Sequence, residues 1–230
     1  MKKICIIPAR GGSKRIPRKN IKLFLGKPII AYSIEAALRS GLFDEVMVST
    51  DDEEIAETAK QYGARVPFFR SPETSNDYAI TIDVLNEVLT EYEKRGIAFD
   101  YLCCIYPTAL FVTPEKLRHA FDEMLQKGCD SAFAIVQYSY PIQRGLVVND
   151  QERVNMIWPQ YIKSRSQELT PTYHDAGQYY FSTVEKFKKT NAMKGDNTYG
   201  VVTNELEVQD LDTMTDWELA ELKFKRLISK

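Results

Sequence analysis

A basic, glycine-containing segment near the N-terminus is the part of the sequence best suited to chemistry. Residues 7–21 read IPARGGSKRIPRKNI and begin at the end of a short apolar run. Gly11 and Gly12 allow backbone conformations that turn successive N–H groups towards an anion. Arg10 and Lys19 can add charge-assisted hydrogen bonds to phosphate oxygens. The segment matches neither a Walker A loop nor a GxGxxG fingerprint, so it predicts a phosphate site of another kind, with a solvated basic loop as the alternative.

The distribution of charge also favours an anionic ligand. The chain has 230 residues, 30 of them basic and 32 acidic, for a net charge of −2. Residues 1–34 contain nine of the basic residues and no acidic residue, so the rest of the chain is strongly acidic. A positive block in an acidic chain indicates an anionic ligand. Nucleic acid is disfavoured, because the basic residues lie in a Gly- and Pro-containing stretch without interleaved aromatic residues.

Two aspartates near the C-terminus form a second candidate site. Asp210 and Asp212 belong to the segment VQDLD and would lie on the same side of an extended chain. Mg²⁺ binds one or two protein carboxylates and completes its shell with water and substrate phosphates. Capping of the following helix by Asp212 is the alternative. The basic segment 7–21, the basic loop, favours the metal site, because a nucleoside triphosphate needs both cationic side chains and a metal ion around its phosphates.

A third group of polar residues lies in the segments SRSQ (164–167) and YHDAG (173–177). Arg165 could hold a carboxylate through two parallel hydrogen bonds. His174 could bind a ligand or donate a proton, whereas a lone loop histidine is more often structural. From the residues alone, the structural role is the better interpretation of His174.

Cysteine usage and hydropathy exclude several classes of protein. Cys5, Cys103, Cys104 and Cys129 form no CxxC pair, and the chain has only two histidines, so a zinc site is not expected. Reduced thiols are typical of cytoplasmic proteins, and we expect that location. The apolar run 4–7 is too short for a membrane span or a signal peptide, so no membrane association is expected.

The elements that must position these residues alternate between strands and helices. Strands are predicted at residues 3–7, 46–49, 64–69, 101–105, 131–136 and 178–181. Helices are predicted at residues 28–40, 52–62, 80–94 and 114–127, and a last helix is predicted from a capping box at Thr215 and Glu218 onwards. Asp51 or Asp52 would cap the second helix, and Leu125 would lie on the buried face of the fourth. This alternation predicts an α/β fold with a doubly wound, mostly parallel sheet. The basic loop would lie at the carboxyl end of the first strand, where such sheets bind ligands.

The alternation stops after Gln137. Residues 146–148 and 153–157 flank Asn149-Asp-Gln and predict a β-hairpin. We interpret residues 138–177 as an insertion within a single domain, 1–230. Because an isolated hairpin would leave its apolar face in water, we expect this insertion to form a dimer contact.

Beyond these local patterns, the sequence of residues 7–20 resembles the signature of the CMP-sialic acid synthetases, which are cytidylyltransferases that act on 2-keto sugar acids. The resemblance continues in order through VSTD (48–51), FRSPE (69–73), YPT (106–108) and DLD (210–212), and it covers essentially the whole chain. Segments 103–108, 141–144 and 165–178 look most like the pseudaminic acid cytidylyltransferases within that family.

The resemblance implies a Rossmann-like nucleotidyltransferase fold in which CTP and a nine-carbon 2-keto sugar acid give a CMP-sugar and pyrophosphate. It implies catalytic roles for Arg10, Lys19 and Asp212, with Mg²⁺ as cofactor on Asp210 and Asp212. The implied nucleotide-binding residues are Ala9, Arg10, Gly11, Gly12, Ser13, Lys19, Asn20, Arg70 and Thr81. The implied sugar-binding residues are Tyr106, Arg165, His174 and Gln178. It also implies a homodimer in which the insertion 138–177 reaches the sugar pocket of the neighbouring subunit.

The sequence departs from the sialic acid enzymes on the sugar side. YPTALFV (106–112) stands where they usually have QPTSPLR, and His174 and Ala176 stand where they usually have arginine and asparagine. Pseudaminic acid is therefore the expected substrate, with N-acetylneuraminic, legionaminic or 3-deoxy-octulosonic acid as alternatives. A noncatalytic nucleotide- or sugar-binding module is the alternative from another class. The retained aspartate pair disfavours that alternative, because a sensor need not keep a metal site.

Overall fold

The computed structural model describes residues 1–229, which form one six-stranded sheet with helices on both faces. The strands are β1 (Lys3–Pro8), β2 (Leu23–Phe24), β3 (Lys27–Pro28), β4 (Glu45–Ser49), β5 (Tyr101–Ile105), β6 (Ser131–Gln137), β7 (Leu146–Val148), β8 (Val154–Met156), β9 (Tyr173–Thr183) and β10 (Thr198–Thr203). The helices are α1 (Ile29–Ser40), α2 (Glu53–Gln61), α3 (Pro72–Ser75), α4 (Thr81–Lys94), α5 (Pro114–Gln126), α6 (Val184–Thr190) and α7 (Met214–Ile228).

The central sheet has the strand order β10-β6-β9-β5-β1-β4. β9 runs antiparallel to both of its neighbours, β5 and β6, and the other neighbouring pairs are parallel. The expected doubly wound, mostly parallel sheet is therefore confirmed. The sequence did not indicate that an antiparallel strand would lie between β5 and β6.

Alternating side chains of the strands form two separate cores. Cys5 and Ile7 of β1 face the side covered by α1, α2 and α5, whereas Ile4 and Ile6 face the side covered by α4 and α6. A third, smaller core joins α7 to the loop after β1 through Phe24 and Trp217, whose rings are 5.5 Å apart. This third core brings the C-terminal helix next to the basic loop.

Three local predictions are wrong. Residues 64–69 form no strand: Arg65 makes a single bridge to Met47, and Pro67 has no N–H to extend it. The capping box of α7 uses Thr213 and Asp216 instead of Thr215 and Glu218. Leu125 on α5 is exposed, although the pattern placed it in the core.

Of the two candidate caps of α2, Asp52 is the one used: its Oδ1 accepts a hydrogen bond from Ile55 N at 3.0 Å.

The sequence prediction also left out β10 and α6 and gave β9 only four of its residues. These elements follow the insertion, where the structure resumes the alternation of strand and helix as β9, α6, β10 and α7. β10 pairs with β6 along its full length, from Thr198 opposite Ser131 to Thr203 opposite Val136. This long-range pairing stabilises a strand whose own sequence has little hydrophobic pattern.

The hairpin within the insertion is confirmed. β7 and β8 pair antiparallel, with Val148 opposite Val154. Residues 173–177 belong to β9 and extend the central sheet, where His174 pairs with Val136. The division of the chain into a single domain with an insertion at 138–177, and the role of that insertion in dimerisation, stay predictions.

No helix within residues 1–229 is long and apolar enough to cross a membrane. The four cysteines are free thiols in the described part of the chain, and three of them are buried in the sheet. Burial raises the pKa of the Cys104 thiol well above its usual value. The cytoplasmic location stays a prediction.

Candidate active site

A cleft of about 540 Å³ opens at the carboxyl ends of β1 and β5. Its walls come from the basic loop, the segment before α4, the residues after β5 and the segment before α7. Of the residues implied for nucleotide binding, Arg10, Ser13, Lys19, Asn20, Arg70 and Thr81 line this cleft. Tyr106 and Asp210 line it as well. The first cleft therefore brings together residues that are up to 200 positions apart in the sequence.

Short hydrogen bonds hold the basic loop against the sheet. Ala9 is fully buried, and its N–H donates to the carbonyl of Ser49 on β4 at 2.9 Å. The Asn20 side chain donates to the carbonyl of Arg10 at 2.9 Å, which closes the loop on itself. Ala9 and Asn20 therefore shape the loop through backbone contacts, and Asn20 also faces the cleft.

Gly11 is required by a close approach of the chain. Its N–H donates to Asp51 Oδ1 at 2.9 Å, so this N–H is engaged within the protein, contrary to the expectation that it turns towards an anion. A Cβ on Gly11 would lie 2.6 Å from Asp52 Oδ2 and 3.0 Å from Asp52 Cβ. Asp52 in turn caps α2 and binds the guanidinium of Arg18, Nη2 to Oδ1 at 2.9 Å.

We expect Gly11→Ala to lower the free energy of unfolding by about 1–2 kcal/mol, because the new methyl group would push Asp52 away from its capping position. Gly12→Ala is the matched control, since its Cβ would meet no described atom within 4 Å. Urea denaturation of the two variants measures the difference. Equal denaturation midpoints for the two variants would contradict this explanation of Gly11.

Arg70 is a buried cation at the floor of the cleft, with 8% of its surface exposed. Its Nε donates to Ser49 Oγ at 3.1 Å and its Nη2 to the Ser49 carbonyl at 2.6 Å. Burial lowers the pKa of Arg70, and the nearby carboxylates of Asp51 and Glu87 oppose that shift. Guanidinium groups stay charged in proteins, so Arg70 supplies a fixed positive charge.

Lys19 joins the basic loop to residues 205–212, which contain Asp210 and Asp212 and are called the aspartate segment. Its Nζ donates to the Leu211 carbonyl at 2.6 Å and lies 3.9 Å from Asp212 Oδ1. Burial lowers the pKa of Lys19, while Asp212 and Asp210 counteract that shift. Arg15 makes a second link, with Nη2 2.8 Å from Asp212 Oδ1. The two candidate sites recognised separately in the sequence are therefore one site.

Two other cations of the first cleft are paired with a carboxylate that the sequence did not single out. Arg10 Nη1 lies 3.0 Å from Asp77 Oδ1 and donates to the Asn76 carbonyl at 3.1 Å. The ammonium group of Lys14 contacts the other oxygen of Asp77. The hydrogen bond from Lys14 lowers the pKa of Asp77, which therefore stays ionised. Asp77 neutralises part of the positive charge of the cleft.

Asp210 and Asp212 flank Leu211, which is fully buried in the third core. Asp210 lines the first cleft, and Asp212 contacts two cations of that cleft. Within residues 1–229, no group of three or more His, Cys, Asp or Glu side chains is arranged to hold a metal. Two carboxylates fit Mg²⁺ when substrate oxygens and water complete the shell, and they do not fit a fully protein-bound zinc site.

A second cleft of about 360 Å³ adjoins the first and shares Thr81 and Tyr106 with it. Its far wall contains Asp175, Tyr180 and Lys194, with Lys194 Nζ 2.5 Å from Asp175 Oδ2. The rings of Tyr106 and Tyr180 are 5.4 Å apart. Burial raises the pKa of both phenols, so they remain neutral hydrogen-bonding groups.

A bulge in β9 creates the wall of the second cleft. Tyr180 pairs with Phe133 and Asp175 with Ile135, so the four residues 176–179 lie opposite a single residue of β6. Tyr180 Oη donates to Asp175 Oδ1 at 2.7 Å across this bulge. Bulges commonly redirect side chains beside functional sites. Asp175, Tyr180 and Lys194 were missed in the sequence analysis, because nothing in the local pattern indicates the bulge.

Of the four residues implied for sugar binding, only Tyr106 lies at the junction of the two clefts. His174 lines a separate cavity of about 440 Å³ that shares Asp210 with the first cleft. Arg165 lies in the insertion before the turn Ser166–Glu168 and lines neither cleft. Gln178 is buried, and its Nε2 donates to the Glu207 carbonyl at 2.6 Å. Within one chain, the structure does not bring these four residues together.

Comparison with known proteins gives a consistent result. A family model described as cytidylyltransferase matches residues 4–203. The pseudaminic acid cytidylyltransferase of Campylobacter jejuni is 44% identical over 98% of this chain and 97% of that protein. The CMP-N,N'-diacetyllegionaminic acid synthase of Legionella pneumophila is 33% identical over 96% of this chain and 95% of that protein. A solved structure of CMP:2-keto-3-deoxy-manno-octonic acid synthetase, complexed with CTP, has the same fold, with a TM-score of 0.68. The two sequences are 20% identical, and the match covers 98% of this chain and 99% of that chain.

Proposed function

The chain belongs to the cytidylyltransferase family, and we propose that it transfers CMP from CTP to the anomeric hydroxyl of pseudaminic acid and releases pyrophosphate. The end-to-end similarity to the Campylobacter enzyme carries the choice of sugar acid. The convergence of Arg10, Lys19 and Arg70 on one cleft supports the choice of a triphosphate as co-substrate.

The first cleft is the proposed site of the nucleotide. During transfer, negative charge develops on the oxygens around the α-phosphate and on the leaving pyrophosphate. Preorganised cations stabilise that charge without reorganising during the reaction. Arg70 is held by Ser49 and Lys19 by the Leu211 carbonyl, so both are fixed before the substrate arrives.

Asp210 and Asp212 are the residues that would hold Mg²⁺. The ion, when bound, would neutralise phosphate charge and lower the pKa of the attacking hydroxyl. The chain's own contribution is to place these carboxylates beside Lys19, so that the nucleotide phosphates reach a cation on one side and the carboxylates on the other. Positioning of the hydroxyl in line with the bond that breaks supplies the rest of the acceleration.

Three ion pairs must exchange partners when the substrates bind. The Asp77 carboxylate is paired with Arg10 and Lys14, and the Asp212 carboxylate is paired with Arg15. These side chains are more than a third exposed, so water screens the pairs and their separation costs little free energy. A triphosphate carries more charge than one carboxylate and would take over Arg10 and Lys14. We infer that Asp77 offsets part of the positive charge of the cleft and that Arg15 holds the Asp212 carboxylate until the substrates bind.

The second cleft is the proposed site of the sugar ring and its substituents. It joins the first cleft at Tyr106, so a sugar placed there has its anomeric hydroxyl next to the phosphates. The carboxylate is common to all candidate sugar acids and cannot distinguish them. Substrate choice must therefore depend on groups around the ring, where Tyr106 offers an aromatic face and one hydroxyl.

We expect Tyr106→Gln to lower kcat/KM for pseudaminic acid by about tenfold while leaving KM for CTP nearly unchanged. Glutamine offers an amide donor and an acceptor in place of the aromatic face, and one unpaired buried polar group costs roughly 1–3 kcal/mol. Chromatography of the CMP-sugar formed from CTP and each sugar acid measures the effect. The wild-type enzyme should use N-acetylneuraminic acid poorly; a preference for that acid would contradict the proposed sugar specificity.

We also propose that the protein is a homodimer formed through the insertion. The insertion exposes Tyr140, Leu146, Val148, Val154 and Ile162, each with at least 60% of its surface accessible. Large apolar side chains exposed in this number within one segment favour an interface. A subunit contact there would also explain why His174 and Arg165 lie outside the two clefts of a single chain.

Substitution of both members of the exposed cross-strand pair, Val148→Asp with Val154→Asp, should convert the dimer to a monomer, because two unpaired carboxylates would be buried at the interface. Sedimentation velocity measures the change. Val202→Asp, on an exposed valine of β10, is the matched control and should remain dimeric. A wild-type monomer with full activity would contradict the proposed dimer.

A further inference from the structure

The segment that carries Asp210 and Asp212 lies outside the sheet. After β10 the chain makes a short turn at Glu205–Glu207, passes through Val208, whose backbone is extended, and bends at residues 212–213 before it enters α7. This part of the chain is not paired with a neighbouring strand, so no strand ladder fixes its path. Besides the packing of Leu211 in the third core, the position of the two carboxylates depends on side chains that bind the segment's carbonyl groups.

Lys223 of α7 is one of these side chains. Its Nζ donates to the Val208 carbonyl at 2.6 Å and to the Glu205 carbonyl at 3.1 Å, on either side of the turn. Burial lowers the pKa of Lys223. Charge-assisted hydrogen bonds are about twice as strong as neutral ones, so this partly buried ammonium group clamps the turn.

Gln178 of β9 is the second side chain that binds a carbonyl group of the aspartate segment. It is 3% exposed, and its Nε2 donates to the Glu207 carbonyl at 2.6 Å. Its Oε1 is buried without a partner among the described residues, so the side-chain contact that holds it is the one to Glu207. The backbone carbonyl of Gln178 accepts a hydrogen bond from Tyr106 N at 2.9 Å. Gln178 thus links the junction of the two clefts to the aspartate segment.

We propose that Lys223 and Gln178 are positioning residues that hold Asp210 and Asp212 at the edge of the first cleft. Neither side chain lines that cleft. Both act on carbonyl groups of the segment immediately before the carboxylates. This inference rests on the proposed function, in which Asp210 and Asp212 bind a divalent cation together with the nucleotide.

The test is a Mn²⁺ titration followed by electron paramagnetic resonance, with CTP present and no sugar acid, so that no turnover occurs. Lys223→Met keeps the length of the side chain and removes the donors. We expect it to weaken Mn²⁺ binding by about tenfold, as supporting residues around metal ligands commonly do. Lys223→Arg restores donors and should recover most of the affinity.

Lys225→Met is the matched control on the same helix. Lys225 is exposed, and its ammonium group contacts only Glu221 and no carbonyl of the aspartate segment within residues 1–229. This variant should bind Mn²⁺ like the wild type. Gln178→Leu should weaken Mn²⁺ binding in the same direction as Lys223→Met. Thermal midpoints without ligand identify any variant that has lost its fold, and Lys223→Arg then remains as the test.

Unchanged Mn²⁺ affinity in folded Lys223→Met and Gln178→Leu would overturn the positioning role while leaving the proposed function intact. An equal loss in Lys225→Met would overturn it too, because the effect would then be general to the helix. Absence of Mn²⁺ binding by the wild type would instead overturn the metal site itself, and the positioning role with it.

Discussion

Asp212→Asn should lower kcat by about a thousandfold and leave the fold intact. Loss of a ligand to the metal removes stabilisation that is largest in the transition state, and a thousandfold decrease corresponds to about 4 kcal/mol. The fold should survive, because the capping box of α7 uses Thr213 and Asp216, and Asp212 adds only its backbone N–H, which donates to Asp216 Oδ2 at 3.1 Å. Asparagine preserves that N–H. Steady-state rates at saturating CTP and sugar acid measure the effect.

Asp196→Asn is the matched control for this variant, since Asp196 is an exposed aspartate in the loop before β10 and does not line the first cleft. Asp210→Asn should be less damaging if Asp210 binds the metal through water. Near-normal turnover of Asp212→Asn with Mg²⁺ would contradict the assignment of Asp212 as a metal ligand. If Asp212→Asn does not fold, the turnover of Asp210→Asn tests the metal site instead.

Arg10→Ala and Lys19→Ala should lower kcat by about a hundredfold and raise KM for CTP much less. Both cations are expected to contact charge that develops during transfer, and removal of one such group typically costs roughly 2.7–4 kcal/mol. The larger effect is expected for Lys19, because its ammonium group also binds the Leu211 carbonyl between the two aspartates. Initial rates over a range of CTP concentrations separate kcat from KM.

Lys22→Ala is the control for the general effect of charge in the basic loop. Lys22 is exposed and lies 5.7 Å over the ring of Trp217. A change confined to KM for CTP in the Arg10 and Lys19 variants would mean that these residues only bind the nucleotide. Kinetics like those of the wild type would mean that the loop is an ordinary solvated basic surface.

The sequence predicted those parts of the fold in which a short segment determines its own structure. β1 and β5 were recognised because each is an uninterrupted buried apolar run. α1 was recognised because Gly41, with φ of 65°, ends it after a regular apolar face. β9 was recognised only over residues 178–181, because its antiparallel place between β5 and β6 depends on pairing with residues about 36–82 positions earlier in the chain.

The same distinction applies to the candidate site. Arg10, Lys19 and Asn20 could be found because they lie within one contiguous motif that faces one cleft. Asp77 and Lys194 could not, because their roles arise from partners that are more than fifteen residues away. Gln178 was assigned to the sugar because the local segment resembles a sugar-binding one. In the structure, its amide is instead buried beneath the aspartate segment.

If this chain is a CTP-specific enzyme that acts on a nonulosonic acid, it must release pyrophosphate when the two substrates are combined. The measurement combines the wild-type protein with each of the four nucleoside triphosphates, each candidate sugar acid and Mg²⁺, and includes a chelator as the metal-free control. We expect release with CTP alone among the nucleotides, fastest with pseudaminic acid and abolished by the chelator. Equal release with another nucleotide, or none with CTP and any of the sugar acids, would contradict it.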